Sequence, residues 1–370
     1  MFSRLKTVLS SLGRGSQGVG LEITPERLNL IQLAKQGQNH KLNKYCFTAL
    51  PEGIFEEGKI IDSPILAEII QEMFRDNKIT AKKIATAVPM REAIIRIIPV
   101  PAELDEQELR DMILNHEAAL YLPYPREEVD LDYQKLGFFE DDDGIEKVQV
   151  LLVATRREVT DSYLDTFQQA GLEVDILEIN SFALIRTIRD ELRRFGSKEA
   201  AVLVDIEFDN TEIAIIVDGV PQFSRTVPIG TYQMQNALSR AMNLPPSRNP
   251  EILQGITIPV TQFDTLSTQG TAINPGMTAL MRVMGELTDE LRRSINFYLN
   301  QAEDLEVVQL LLAGPGGGLI QLDEYLTQRL SIPSMHIDPF TSLNIDSAQE
   351  IPLVERPSLA TVLGLGLREA

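Results

Sequence analysis

Three short stretches carry the residue types that phosphate chemistry requires. They are Glu22-Ile23-Thr24-Pro25-Glu26, Asp205-Ile206-Glu207-Phe208-Asp209-Asn210-Thr211 and Leu312-Ala313-Gly314-Pro315-Gly316-Gly317-Gly318. A strand–turn–strand that cradles phosphate needs glycine where the backbone N–H approaches the oxygens. It also needs a carboxylate to orient Mg²⁺ or its waters. In the first turn Glu22 supplies the carboxylate, but the glycine is missing, Pro25 removes an N–H donor and Glu26 adds negative charge. In the second, Asp205 is placed as a metal-orienting acid and Thr211 as a hydroxyl donor. Glu207 stands where a glycine is wanted, and with Asp209 it would repel a triphosphate unless cations intervene. In the third, Gly314, Gly316 and Gly317 open a helix and let an adenosine or phosphate approach the backbone. A strand-to-helix turn can also use glycine for its own packing, so both readings stand. Hydrolysis needs a positioned acid or base and a well-held metal. With two of the three turns compromised, hydrolysis is not expected.

The elements that must position these turns occur twice. Residues 19–23, 27–33 and 41–50 read as strands, and 84–88 as another. Between them a helix runs from Ser63, read as its N-cap with Pro64 behind it, to about residue 77. In the second half 201–206, 211–217 and 220–227 are strands, the last two joined at Asp218-Gly219, where both positions accept positive φ. Helices follow at 231–242 and 285–303, then a strand at 307–313 that feeds the glycines. Two similar α/β halves imply a cleft between them, a common place for ligands.

Extra material separates the halves. It reads as a strand at 93–100, a helix at 105–121 with Leu109, Met112, Ile113 and Leu120 on one face, strands at 129–137 and 147–155 around an acidic loop, and a helix at 157–170. That order makes a complete small α+β subdomain. Residues 243–277 are rich in Pro, Gly, Thr and Gln and show no period, as expected of an irregular insertion. The expected division is 1–16 as an N-terminal segment, 17–88 with 171–200 as the first half, 89–170 as the inserted subdomain and 201–370 as the second half.

Composition narrows the function. The 370 residues, 44% hydrophobic and 24% charged, suit two or three folded domains. No apolar run approaches the ~18–20 residues that cross a bilayer, and the N-terminus has no secretory pattern. A single cysteine, Cys46, excludes an internal disulfide framework, and with three histidines it makes a zinc site unsupported. The net charge of −20 excludes nucleic acid as a partner. The first fourteen residues run the other way, with Arg4, Lys6 and Arg14 and no acid, and with Phe2, Leu5, Leu9 and Leu12 at helical spacing. They read either as a short amphipathic helix on an anionic membrane or as a flexible terminus.

The duplication, the insertion point and the three turns together resemble the actin-like (ribonuclease H-like) superfamily. Within it the chain is similar to the PilM family of type IV pilus assembly, a relative of the division protein FtsA. The specific residues are Arg96-Ile97-Ile98-Pro99-Val100-Pro101, Glu108-Leu109, the run from Glu117-Ala118-Ala119-Leu120-Tyr121 through Leu122-Pro123-Tyr124-Pro125, Glu128-Val129-Asp130-Leu131-Asp132-Tyr133, Leu151-Leu152-Val153-Ala154-Thr155-Arg156 and Ala170-Gly171-Leu172. In the second half Glu290-Leu291-Arg292-Arg293-Ser294-Ile295-Asn296-Phe297-Tyr298 resembles the family's long helix. The resemblance implies an α/β, actin-like duplicated fold with an inserted small α+β subdomain. It implies a site for ATP and Mg²⁺ at Glu22, Thr24, Asp205, Thr211, Glu251, Gly314, Gly316 and Gly317, with Asp205 towards the metal. The chain departs from the family at Thr24 and Glu207, where glycine is usual. Glu178 replaces an aspartate, and Pro250-Glu251-Ile252-Leu253-Gln254 replaces Ala-Glu-x-x-Lys, keeping the acid and losing the lysine. These changes reduce the expectation to weak ATP binding or none.

The resemblance further implies a cytoplasmic scaffold, peripheral to the inner membrane, that binds the N-terminal cytoplasmic tail of PilN and connects it to pilus motor ATPases and the platform protein. Arg96, Ile98, Pro99, Pro123 and Tyr124 are the expected walls for that extended tail. Two rivals remain: an active ATPase that opens and closes its cleft, and a filament-forming, FtsA-like division protein. The latter is expected to end in a linker and an amphipathic helix, whereas this chain stops at Leu365-Gly366-Leu367-Arg368-Glu369-Ala370.

Overall fold

A computed structural model describes residues 17–369, apart from 38, 142, 246–247, 249–252, 254, 261–273 and 303. The first half begins with β1 (Gln17–Ile23), β2 (Arg27–Gln36) and β3 (Asn39–Ala49), an antiparallel meander. Helix α1 (Ser63–Asp76) then leads to β4 (Lys83–Val88), which pairs parallel to β1. The N-cap of α1 is Asp62, whose carboxylate accepts the Ile65 N–H at 3.1 Å. Ser63, expected as the cap, is the first helical residue, because the carboxylate of Asp62 fills the capping role.

The inserted sheet holds β5 (Ala93–Pro101), β6 (Val129–Glu140) and β7 (Glu146–Arg156), antiparallel with β7 in the centre. The helix expected at 105–121 is α-helical only at Glu106–Asp111 and Ala118–Tyr121, with a π-helical stretch at Met112–Glu117 between. A π turn holds extra residues and rotates the downstream side chains about the helix axis. Leu109 and Ile113 are therefore buried, while Leu120, expected on the same face, is exposed. Helix α2 (Arg157–Gln169) follows, then β8 (Glu173–Ile179) and α3 (Asn180–Thr187). Val159, Tyr163 and Phe167 of α2 lie in one core with Leu66, Ile70 and Met73 of α1. Although α2 falls inside 89–170, it packs as part of the first half.

The second half repeats the design with β9 (Glu199–Ile206), β10 (Thr211–Val217), β11 (Val220–Val227), α4 (Thr231–Ala241), α5 (Pro275–Leu299), β12 (Glu306–Ala313) and β13 (Ser334–His336). Asp218 and Gly219 take φ of 50° and 76°, as the hairpin requires. Helix α5 starts before the expected 285 because Asn274 caps it, accepting the Gly276 N–H at 2.9 Å, with Pro275 behind. The sheet orders are β8-β4-β1-β2-β3 and β13-β12-β9-β10-β11, the same connectivity twice. Apolar residues fill β9 and β10 on both faces because helices cover both sides.

The chain finally returns to the first half. β14 (Ile345–Ser347) pairs parallel with β3, and α6 (Ala360–Glu369) lies on β1 and β2, its Val362 and Leu363 against Ile31 and Leu33. Residues 345–369, expected within the second half, thus cover an edge strand and an apolar face that the first half leaves open. Gly20 admits this packing, since a Cβ there would sit 2.5 Å from the Val362 carbonyl. Leu184 of α3 joins Ala201, Leu203, Ile216 and Ala360 in a core between the sheets, so α3 and α6 form the floor of the cleft. Among the described residues no helix is long and apolar enough to cross a membrane.

Candidate functional site

The β1–β2 and β9–β10 turns face each other across the cleft. Their hydroxyls are committed to the chain itself. The Thr24 hydroxyl donates to the Arg27 carbonyl at 2.9 Å and accepts the Arg27 N–H at 3.2 Å, closing its own turn. The Thr211 hydroxyl donates to the Ile229 carbonyl at 2.6 Å. The first amides of α4, a position that suits anions, are also committed. Thr231 and Tyr232 donate to the Glu207 and Phe208 carbonyls at 2.9 and 2.8 Å. Gly230 allows this approach, since a Cβ there would lie 2.5 Å from both carbonyl oxygens.

The glycines after β12 serve the same purpose. Gly314 has φ +74°, and a Cβ on it would lie 2.5 Å from the Ile206 carbonyl oxygen and 2.6 Å from Asp205 Oδ1. Gly316 packs on the Ile206 side chain and Gly317 on the Leu312 carbonyl group. Asp205 sits beneath this turn, 2% exposed, and neither of its carboxylate oxygens has a hydrogen-bond partner among the described residues. It does not border the cleft cavity. Burial, reinforced by the Glu212 and Glu22 carboxylates, holds its pKa well above the usual range. Burial and the Asp205 carboxylate do the same to Glu207.

The cavity between the turns has a volume of ≈ 40 Å³ and is lined by Glu22, Arg91, Asn180, Glu207, Asp209 and Glu212, among others. At roughly 10–15 Å³ for each water that is space for about three, against the roughly 300–1,000 Å³ of ligand pockets. Among the described residues no cluster of three or more His, Cys, Asp or Glu side chains is arranged to hold a metal. Glu22 accepts Asn29 Nδ2 at 2.9 Å, and burial raises its pKa. Burial also raises Glu212 to about 7 against the hydrogen bonds from Asn180 and Met90. It raises Glu26 to about 7 against Arg27 and Arg248.

Two arginines reach across the cleft. Arg91 Nη1 meets Asp209 Oδ2 at 2.8 Å. Arg248 donates to the Pro25 carbonyl at 2.8 Å, stands 3.5 Å from Glu52 and lies over the Phe208 ring at 5.0 Å. Neither arginine belongs to the expected site. Arg91 carries a weak signal in the sequence, a lone cation just past a strand end. Arg248 lies in the stretch without a period and carries none. Glu178 pairs with Arg186 through both carboxylate oxygens, at 2.8 and 2.7 Å. Glu251, Gln254 and residues 1–16 lie outside the described residues.

The structure divides the expected peptide walls. Along β5, Arg96 and Ile98 share one face, and Ile98 is fully buried with Val100, Leu109 and Val150. Pro99 is exposed on the opposite face, because successive strand residues alternate. Ile98 therefore cannot contact a peptide, and Arg96 and Pro99 cannot line one wall. Pro123 and Tyr124 are exposed, and the Tyr124 ring lies over the Arg156 guanidinium at 5.7 Å.

Two sheets of one connectivity, a turn from each facing a shared cleft, and two helices crossing beneath define an actin-like protein. The chain matches the family model described as Type IV pilus assembly protein PilM over residues 20–256 and 269–370, and it belongs to that family. Among solved structures it is similar to the PilM-PilN type IV pilus biogenesis complex, with 25% identity, a TM-score of 0.77, and 95% of this chain and 98% of that chain covered. It shares its fold with MreB5 of Spiroplasma citri bound to ADP, at 12% identity, a TM-score of 0.52 and 96% coverage of both chains. The ethanolamine utilization protein EutJ from Carboxydothermus hydrogenoformans matches at 13% identity and a TM-score of 0.50, with 95% of this chain and 89% of that chain covered.

Proposed function

We propose that this chain is a scaffold of the type IV pilus inner-membrane assembly platform. It holds the N-terminal cytoplasmic tail of PilN, links that tail to the pilus motor ATPases and the platform protein, and sits peripheral to the membrane on the cytoplasmic side. The observation that carries the reading is the near full-length likeness to a PilM-PilN complex. The tail lies between the first half and the inserted sheet, with Pro123 and Tyr124 as its wall and Arg96 or Pro99 at its edge, according to which face of β5 it follows.

The nucleotide cleft is degenerate in this reading. The Thr24 and Thr211 hydroxyls, the first amides of α4 and the glycines after β12 are committed to the chain's own turns, and four carboxyl residues help line its cavity. A rival reading, a switch driven by ATP hydrolysis, has in its favour the fold shared with an ADP-bound structure. Fluorescence anisotropy of a labelled PilN tail peptide tests the scaffold. Saturable binding at about 1–10 µM, near −8 to −7 kcal/mol, is expected. Anisotropy unchanged by the full-length chain overturns the reading.

A further inference from the structure

We propose that Arg91 and Arg248 clasp the two halves of the chain together with no ligand needed, each half supplying one arginine to the turn of the other. The inference rests on reading the cleft as degenerate. Glu22 and Glu26 stand at the β1–β2 turn, and Glu207, Asp209 and Glu212 at the β9–β10 turn. Four of these five line the small cavity between the turns. Acidic turns brought this close repel each other unless a cation or a proton intervenes. Arg91 and Arg248 are cations that the chain itself brings to that place.

The two contacts mirror each other. Arg91 follows β4, next to Met90 in the first-half core. Its stem packs on Gly58, where a Cβ would lie 3.1 Å from Arg91 Cδ. From there Arg91 Nη1 meets Asp209 Oδ2 of the second-half turn at 2.8 Å, the two side chains only 21% and 24% exposed. Arg248 comes from the second half. Its guanidinium lies over the Phe208 ring at 5.0 Å, and that ring lies 5.1 Å from Tyr232 at the start of α4. From this seat Arg248 donates to the Pro25 carbonyl at 2.8 Å and stands 3.5 Å from Glu52, both in the first half. A third crossing needs no arginine: the Met90 N–H donates to Glu212 Oε1 at 3.2 Å, and Asn180 Nδ2 to Glu212 Oε2 at 2.9 Å. Arg27 does not cross. Its guanidinium donates to Ser358 Oγ at 3.2 Å and lies over the Phe47 ring at 5.7 Å. Each clasping arginine is therefore seated in its own half and directed to the other. Charge-assisted contacts at this depth are stronger than pairs in full solvent.

Hydrogen exchange of the full chain tests this at the amides of 22–27 and 205–212. Arg91→Gln and Arg248→Gln are each expected to speed exchange at both turns about fivefold, and the double variant about 25-fold, since both contacts resist the same opening. X-ray scattering should give the double variant a larger radius of gyration, which fraying of one turn does not produce. Asp209→Arg should rescue Arg91→Asp to within about twofold of wild-type exchange, because the reversed pair restores the bridge. Exchange unchanged in both single variants overturns the clasp. So does a double variant that exchanges faster at an unchanged radius of gyration, and so does a reversed pair that exchanges as fast as Arg91→Asp alone. Arg91→Lys and Arg248→Lys keep the charge and lose the planar fork. They replace the glutamine variants if those fail to fold, with about twofold faster exchange expected and unchanged exchange overturning the clasp. MgATP at about 1 mM that slows exchange in the wild type overturns the degenerate-cleft reading instead, and the arginine variants, read without nucleotide, then decide the clasp alone.

Discussion

The cleft and the inserted three-stranded sheet treat their polar and apolar groups in opposite ways. In the cleft, the Thr24 and Thr211 hydroxyls and the first amides of α4 are matched to partners in the same chain, and Glu22, Glu207, Asp209 and Glu212 are among the residues that line the cavity. In the inserted subdomain, Leu120, Phe138 and Ile145 are largely exposed and Tyr124 partly so, and Gly137 has no heavy atom within 4 Å of where a Cβ would be. Shape alone marks the cleft as the binding site, because the fold places it there. Its turns close on the chain's own carbonyls, yet Asp205, Asn210, Thr231 and Glu26 keep buried polar atoms without a hydrogen-bond partner among the described residues, while the exposed apolar surface belongs to the insertion. A fold's customary site alone does not establish where a chain meets its partner.

The largest expected effect separates the two regions by one methyl group. Gly314→Ala must hold a Cβ at positive φ against the Ile206 carbonyl and Asp205. It should lower the unfolding free energy by about 3 kcal/mol or more in denaturant titration. Gly137→Ala should change it by less than about 0.5 kcal/mol. Equal costs at both positions would break the contrast.

Next comes pH. Glu26 and Glu212 have folded pKa values of about 7 against an ordinary glutamate value of 4.5. Between those values the folded chain keeps protons that the unfolded chain has lost. Stability therefore falls as pH rises through 4.5 to 7, and the loss is complete above the folded pKa. Each group contributes at most about 3 kcal/mol. Thermal unfolding should give a higher Tm at about pH 5.5 than at about pH 8. Glu26→Gln should raise Tm on the alkaline side and flatten part of that slope. A Tm that rises with pH over this range would contradict the protonated cleft.

Smaller effects belong to the insertion. Tyr124→Ala should weaken tail binding by about 1 kcal/mol, near fivefold, with stability unchanged, as anisotropy and denaturation would show. Smallest is Lys135→Ala, which removes an ion pair to the exposed Glu106 at 2.8 Å. Its cost in denaturant unfolding should stay below about 0.5 kcal/mol.

Local features were legible in the sequence, and features made by distant contacts were not. The Asp218-Gly219 hairpin needs only its own two residues to state its geometry, and it folds as read. The duplication was legible because strand and helix periods repeat. Ser63 gave way to Asp62 as cap because two adjacent residues can both play that part. The π stretch that turns Leu120 outward leaves no mark in an apolar period. Thr211 read as a hydroxyl donor because its acceptor, the Ile229 carbonyl, becomes visible only on folding. The return of 345–369 to the first half joins β14 to a strand about 300 residues earlier in the chain, and no local pattern announces such a pairing.

The proposed scaffold role pairs a cleft that holds ATP weakly or not at all with a surface that holds a peptide. Calorimetric titration of the full chain with MgATP, and separately with the PilN tail peptide, tests both halves in one instrument. The account expects micromolar peptide binding, about −8 kcal/mol, and no ATP heat up to about 1 mM, a binding free energy weaker than about −4 kcal/mol. Micromolar MgATP binding would contradict it, since the ≈ 40 Å³ cavity would then have to open and Arg91 and Arg248 release their partners.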